Sequence, residues 1–493
     1  MEPEVPWLDF GNSLPVPCVQ ELAKETMATV PPRYVRSDQD PPNISDSTAS
    51  LPQVPIIDME KLFSPEFMDT ELEKLHHASK EWGFFQGLAE LQSMREGLDL
   101  HARISEPHTS GIWIPLGPCY LVGCNSVNLI SMLDCPGWLQ FGQSHLHAQI
   151  SEPHTSSIWI PLGPFSLAAL VCCNSVNPIS MLNKPHTSTK WMPLGPFFLT
   201  ALVAIRSIPI INEWLINHGV STSLLENIKL DIQAFFKLPM EEKKKYWQKP
   251  GELEGFGQAF VVSDEQKLDW GDLFALITLP THLRKPRLFP KLPLPFRDNL
   301  EAYSAALQKL SMKILELMEK ALRMENNEMK NLFEDGWQTI RMNYYPPCPQ
   351  PELVIGLNAH SDRVGLTILL QLNEMEGLQI RKDGMWIPVI PLPNAFVVNI
   401  GDILEIVTNG IYRSIEHRAT VNSVKERLSM ATFYNPKAEG DLGPAPSFIT
   451  PESPALFQRI GAAEYFRKVS SSKLNGKAYI DALRIQNEEQ RGS

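Results

Sequence analysis

Apolar and polar positions follow a helical rhythm in the first part of the chain and a strand rhythm in the last. From about Asp298 to Met324 the apolar residues Leu300, Tyr303, Leu307, Leu310, Ile314, Leu317 and Met318 recur at three- and four-residue steps, which makes one stripe of a long helix able to brace a sheet. Glu71–Trp82, with Leu72 and Leu75 opposite a Glu/Lys-rich face, and Leu224–Phe236 read as shorter surface helices. From Thr339 onward short apolar runs alternate with turns: Leu366–Leu372, Leu378–Lys382, Asp383-Gly384, Trp386–Ile390 and Ala395–Ile400. The fold class that follows is mainly β with flanking helices, a double-stranded β-helix (jelly-roll) core with an N-terminal α/β part. Residues 1–53 are Pro-rich and irregular, a lead-in that drapes over the body. Asn399-Ile400-Gly401-Asp402 reads as a turn, with Gly and Asp supplying backbone conformations that other residues resist, and no chemistry is assigned to it.

The strand region also carries the chemistry. His360-Ser361-Asp362 is followed at a distance by His417, then by Arg427-Leu428-Ser429. Residues two apart on a strand share a face, so His360 and Asp362 point the same way and His417 must return on a neighbouring strand. Two imidazoles and one carboxylate leave positions open on a metal, as non-haem Fe(II) oxygen chemistry requires, whereas structural zinc is held by a closed tetrahedral set. Arg427 and Ser429 are likewise two apart, so a guanidinium fork and a hydroxyl can grip one carboxylate together. The order reads as iron plus a keto-acid.

At these residues, and at Asn343-Tyr344-Tyr345-Pro346-Pro347-Cys348-Pro349, Asn358-Ala359-His360 and His417-Arg418-Ala419, the chain resembles the plant 2-oxoglutarate- and Fe(II)-dependent dioxygenases of the anthocyanidin synthase, flavonol synthase and alkaloid O-demethylase type. The resemblance covers Val54 to about Gln86 and Leu215 to about Ala482, with Val54-Pro55-Ile56-Ile57-Asp58 as the family's first strand. It implies that His360, Asp362 and His417 bind iron and that Arg427 and Ser429 hold the distal carboxylate of 2-oxoglutarate. Asn343 and Tyr345 would assist, although Tyr345 also suits a plain core aromatic. Phe433 matches an aromatic that stacks on the substrate in some relatives, with a pocket wall as the alternative. The implied activity uses Fe(II), 2-oxoglutarate and O2, with ascorbate in support. It hydroxylates, desaturates or O-demethylates a small plant specialised metabolite and releases succinate and CO2. A 2-oxoglutarate-independent iron oxidase shares the same ligand pattern.

One segment breaks the pattern. In the family Trp-Gly-Phe-Phe-Gln runs directly into Leu-Ile-Asn-His-Gly, whereas here Gln86 and Leu215 are separated by residues 87–214. Within this insert Ile104–Pro118 recurs almost unchanged as Ile150–Pro164 and, reduced, as Lys184–Pro196. The spacings are too uneven for a stacked repeat domain. His101, His108, His145, His147, His154 and His186 match no zinc spacing. Its apolar runs fall short of the roughly 20 residues a membrane helix needs. A translated intron or duplicated non-coding stretch is the reading adopted; an inactive or misfolded product is the alternative if the insert is part of the protein. The chain therefore divides into the lead-in 1–53, an N-terminal dioxygenase region 54–86 and 215–325, the insert 87–214, and the jelly-roll domain 326–482.

Composition narrows the partners. Lys+Arg 44 against Asp+Glu 56 gives a net charge of −12, which disfavours nucleic acid and suits a small-molecule substrate. No membrane association is expected, and a monomer is. The start Met1-Glu2-Pro3-Glu4 has no secretory pattern and Gly492-Ser493 is no prenylation box. Of seven cysteines only Cys18 and Cys348 lie outside the insert, so no disulfide framework is implied and a cytoplasmic setting is expected.

Overall fold

The computed structural model describes residues 14–25, 27, 29–38, 52–88, 218–250, 252–258, 260–324, 327–470 and 474–485, together with the backbone of four short strands in the insert. Contacts divide the chain into two units, Met1–Glu90 with Glu213–Ser493, and Leu91–Asn212.

The first unit is built on two antiparallel sheets. Its strands are β1 (Phe84–Leu88), β2 (Gly255–Gly257), β3 (Asp272–Leu279), β4 (Trp337–Tyr345), β5 (Leu357–His360), β6 (Leu366–Gln371), β7 (Leu378–Lys382), β8 (Met385–Pro388), β9 (Ala395–Ile400), β10 (His417–Ala419) and β11 (Arg427–Asn435). The major sheet has seven strands in the order β1-β9-β6-β11-β4-β3-β2, and the minor sheet four in the order β8-β7-β10-β5. This is the jelly-roll architecture expected from the sequence.

Alternation along the major sheet separates scaffold from site. Ile340 and Met342 of β4, Ile368 and Leu370 of β6, Val398 and Ile400 of β9, and Leu428 and Met430 of β11 are buried in one cluster with Leu300, Tyr303, Leu307, Leu310 and Ile314 of the long helix. Each such aliphatic side chain contributes roughly 2 kcal/mol by leaving water. The residues between them face the minor sheet, and there the polar groups of the site collect.

The three longest helices among the described residues are α1 (Met68–His77), α2 (Thr222–Lys237) and α3 (Phe296–Ala321). The long helix stops before Met324 because Arg323 takes a positive φ of 54°, which no right-handed helix accommodates. The Glu71–Trp82 helix starts earlier, at Met68, and gives way after His77 to a wider turn over Ala78–Trp82. That turn closes on Gly83, φ 60°, where an added Cβ would lie 2.2 Å from the Arg413 carbonyl oxygen.

Three expectations need correction. Val54–Asp58 is no strand: Ile56 makes one isolated parallel bridge to Gln86, and the Asp58 carboxylate then accepts from the Glu60 and Lys61 amides and starts a helix at Met59. Asn399 and Ile400 belong to β9, and Gly401 begins a helix over Asp402–Val407 instead of a turn. Gly401 has an ordinary φ of −93°; glycine is needed because a Cβ would meet the Val364 carbonyl oxygen at 2.1 Å. Finally, β1 does not stop at Gln86, since Gly87 and Leu88 pair with Phe396 and Ala395 and carry the strand past the start of the insert.

In the second unit, strands Ile112–Pro115, Trp138–Phe141, Leu146–Ala148 and Ile158–Ile160 form an antiparallel sheet in chain order. Its two edge strands are the Ile-Trp-Ile segments of the first two repeat copies. The third copy, the cysteines and the histidine side chains of the insert lie outside the described residues. Among the described residues no helix is long and apolar enough to cross a membrane.

Candidate iron and keto-acid site

The three sequence-predicted ligands converge between the sheets. β10 runs antiparallel to β5 with His417 directly opposite His360, and Asp362 lies just past the end of β5. The Nε2 atoms of His360 and His417 stand 3.4 and 3.6 Å from Oδ1 of Asp362. All three residues are buried, and their ligand atoms lie within 4.8 Å of one another.

Every remaining polar atom of this triad is oriented by a neighbour. Nδ1 of His360 faces the Asn358 carbonyl oxygen at 2.6 Å and Nδ1 of His417 that of Ile415 at 3.2 Å. With those carbonyls taking an Nδ1 proton, the Nε2 lone pairs are free to face a cation. Thr367 donates its hydroxyl to Oδ2 of Asp362 at 2.6 Å, and Asn399 donates its amide to the same oxygen at 2.8 Å. Burial alone would raise the Asp362 carboxyl, but His417, His360 and the Thr367 hydroxyl hold it far below the usual carboxylate range. Burial pushes His417 down to about 4, against the pull of Asp362.

The residues expected to hold the keto-acid are brought together by register. On the site face β11 and β4 set Arg427 opposite Tyr345, Ser429 opposite Asn343, Ala431 opposite Arg341 and Phe433 opposite Thr339. Asn343 donates its amide to the Ser429 hydroxyl at 3.3 Å. Arg427 is 2 % exposed; it donates to Oε1 of Gln371 at 3.0 Å and lies 5.4 Å from the Tyr345 ring centre. Neither neighbour is an acid, so this cation is buried among neutral groups, and burial draws its pKa down. Tyr345 is pushed up by burial, with Arg427 opposing.

A cavity of about 40 Å³ between the sheets touches Asp362, His417, Arg427, Ser429 and Phe433. A second, of about 150 Å³, has His360 and Asp362 at its edge and a wall that includes Ile277, Trp337, Phe433 and Phe466. Phe433 lines both spaces, beside the expected metal ligands.

Sequence reasoning missed Thr367, Asn399, Gln371 and Arg341. A signal was present for Thr367 and Asn399: each is a polar residue inside an otherwise apolar strand run, and such a residue needs a buried partner. The donor set fits an iron ion, two imidazole nitrogens and one carboxylate oxygen with their outer atoms already engaged.

Comparison with known proteins agrees with this geometry. Residues 336–436 match the 2OG-Fe(II) oxygenase superfamily, and residues 214–292 match the N-terminal region called non-haem dioxygenase in morphine synthesis. The chain is 44% identical over 479 residues to oxoglutarate-dependent flavonoid 7-O-demethylase 1 of Ocimum basilicum, covering 97% of this chain and 93% of that protein. It is 41% identical to codeine O-demethylase of Papaver somniferum, covering 97% of this chain and 98% of the relative. A crystal structure of JOX2 in complex with 2OG, Fe and JA superposes with a TM-score of 0.64 at 26% identity, covering 96% of this chain and 99% of that one. With a jelly roll, a convergent His-Asp-His triad and relatives of this similarity, the chain belongs to the 2-oxoglutarate- and Fe(II)-dependent oxygenase superfamily and is a dioxygenase.

Proposed function

We propose that His360, Asp362 and His417 hold the iron, that Arg427 and Ser429 grip the distal carboxylate of 2-oxoglutarate, and that Asn343 and Tyr345 position it. The observation that carries this reading is the divided role of Asp362. Oδ1 faces both imidazoles, while Thr367 and Asn399 fix Oδ2. When bound, the iron supplies O2 activation coupled to decarboxylation of 2-oxoglutarate to succinate and CO2 and to oxidation of a substrate C–H bond.

The protein's part is placement. Arg427, opposite Tyr345 in register and two residues from Ser429 on β11, holds a dicarboxylate by its far end with its keto end directed toward the triad. Phe433 and the apolar wall around it exclude water from the substrate side. A small aromatic plant metabolite is the substrate class we infer, with O-demethylation favoured by the two relatives named above. The setting is cytoplasmic, supported by Cys18 and Cys348 being buried, free thiols, and the enzyme is monomeric.

The catalytic unit, on this reading, comprises segments 54–86, 215–325 and 326–482 and folds without residues 87–214. Support comes from Phe84–Gln86 of β1, which pair with Asn399, Val398 and Val397 of β9 ahead of the insert. Full-length protein and a chain lacking 87–214 are to be given Fe(II) and 2-oxoglutarate without oxygen. A visible metal-to-keto-acid charge-transfer band is expected in the shortened chain. Its absence from a folded shortened chain would refute the site assignment, and succinate release under oxygen separates this reading from a keto-acid-independent oxidase.

A further inference from the structure

His360 stands on an edge strand. In the minor sheet β5 pairs with β10 on one side only, and that ladder shifts register between His417 and Ala419. An edge strand leaves a row of backbone groups unpaired, and two other segments of the chain take hold of this one. From the C-terminal part, the Gly476 carbonyl accepts the Ser361 amide at 3.2 Å and the Gly476 amide donates to the Ala359 carbonyl at 3.0 Å. From the opposite end of the chain comes Arg36, in the Pro-rich lead-in.

Arg36 and Asn358 form the junction. The lead-in is anchored there by Val30 and Tyr34, which are buried in one cluster with Trp270 and Tyr345, and by the Arg36 amide, which donates to the Leu353 carbonyl at 2.7 Å. The buried Arg36 guanidinium is paired with Asp38 at 3.0 Å and Asp269 at 3.5 Å, and its Nη2 donates to Oδ1 of Asn358 at 2.9 Å. Nδ2 of Asn358 donates to the Leu474 carbonyl at 3.0 Å. Arginine can only donate and a carbonyl can only accept, so the two partners fix which way this amide points. The backbone carbonyl of the same residue faces Nδ1 of His360 at 2.6 Å. One residue therefore joins the lead-in, the C-terminal segment and an expected metal ligand.

We propose that Arg36 is a positioning residue for the metal centre. The proposal rests on the reading of His360, Asp362 and His417 as the iron ligands. Arg36 and the Leu474 carbonyl hold the Asn358 side chain, the held side chain fixes the Asn358 peptide, and that carbonyl keeps the proton on Nδ1 of His360 with Nε2 turned to the metal. Residues 29–38 are then part of the support of the site and not a dispensable lead-in. Arg33 is the internal control. It anchors the same segment by donating to the Gln266 and Ser263 carbonyls at 3.1 and 3.0 Å, neither of them on β5.

The test is titration of the full-length protein with Mn(II), the free ion being counted by its paramagnetic resonance signal. Arg36 acts one bond further from the metal than the ligand-orienting partners whose loss costs about 10- to 100-fold, so R36M and N358A should each weaken Mn(II) binding about 3- to 10-fold. R36M/N358A should bind no more weakly than N358A, because both changes cut one path, and R36K should keep part of the affinity. R33M should lower the melting temperature of the metal-free protein while its Mn(II) affinity stays at the wild-type value. Wild-type affinity in R36M, a loss in R33M as large as in R36M, or additive losses in the double variant would overturn the proposal. Should a variant fail to fold, wild-type protein gives the reciprocal readout, since whatever Arg36 does for the metal the metal does for the lead-in. Mn(II) should slow hydrogen exchange across residues 29–38 more than across residues 14–25, which Asp272 holds through the Val19 and Gln20 amides at 3.0 and 2.7 Å. Equal slowing of the two, or none, would overturn the proposal. Failure of the underlying reading shows separately, as Mn(II) affinity that survives Asp362→Ala.

Discussion

The two ends of one sheet face handle charge in opposite ways. Around Asp362 the protein supplies every partner itself, from the Thr367 hydroxyl, the Asn399 amide and two imidazoles held by backbone carbonyls. Around Arg427 it supplies only neutral groups, the Gln371 side-chain oxygen and the Tyr345 ring. The difference teaches how to read buried polar groups near a site. A fully satisfied group is a positioned part of the scaffold, while a cation left among neutral neighbours marks where a ligand's charge belongs.

Asp362→Ala attacks the satisfied end at its centre. Two facing imidazoles alone do not make the three-ligand set, so the charge-transfer band and 2-oxoglutarate-dependent O2 uptake should fall to background; a band of wild-type intensity would remove Asp362 from the metal site. Arg427→Met attacks the unsatisfied end. Losing a buried charge-assisted clamp costs about 2–4 kcal/mol, which corresponds to a rise of about 30- to 700-fold in the 2-oxoglutarate concentration that half-saturates the band, with metal affinity little changed. A rise below threefold would mean that another cation carries the dicarboxylate. Asn399→Ala and Thr367→Val are milder tests of the first end. Each leaves Oδ2 of Asp362 with one donor and should weaken Fe(II) binding about 10- to 100-fold.

The same contrast explains what was legible in the sequence. His360, Asp362, Arg427 and Ser429 could be placed together because strand period fixes which side chains share a face. The pairing of Arg427 with Tyr345 and of Ser429 with Asn343 could not, because register between distant strands is set by the closed sheets and leaves no local trace. Asn399 was hidden in a tetrapeptide whose Gly and Asp suggest a turn, yet its place in an apolar run was a clue to burial. Helix α3 was visible from seven apolar positions, and its end was not, since Arg323 gives no compositional hint of its left-handed backbone. Val54–Asp58 was expected as a strand from the family resemblance, but the capping reach of the Asp58 carboxylate decides the local structure.

Asp269 offers the finest test, because it is an acid paired with Arg36 at 3.5 Å on the cavity that also reaches Asn343 and Tyr345. Burial raises its carboxyl to about 6, against the lowering effects of Arg36, the Asn358 amide, His360 and Arg341. The folded protein therefore holds this proton more tightly than the unfolded chain. The contribution to stability is present in full below about pH 4 and is lost as pH rises through about 6. A shift of about two units is worth at most about 3 kcal/mol, and the side chain keeps 27% exposure, so about 1 kcal/mol is a realistic loss. Asp269→Asn cannot titrate, and the difference in melting temperature between this variant and wild type should move in the variant's favour by a few degrees between pH 4.5 and pH 7. Arg36→Met removes the cation nearest to Asp269, raises the carboxyl further and should shift the wild-type transition toward higher pH. A difference that stays flat with pH would place Asp269 among the ordinary carboxylates, and the contrast between the two ends would then rest on Arg427 alone.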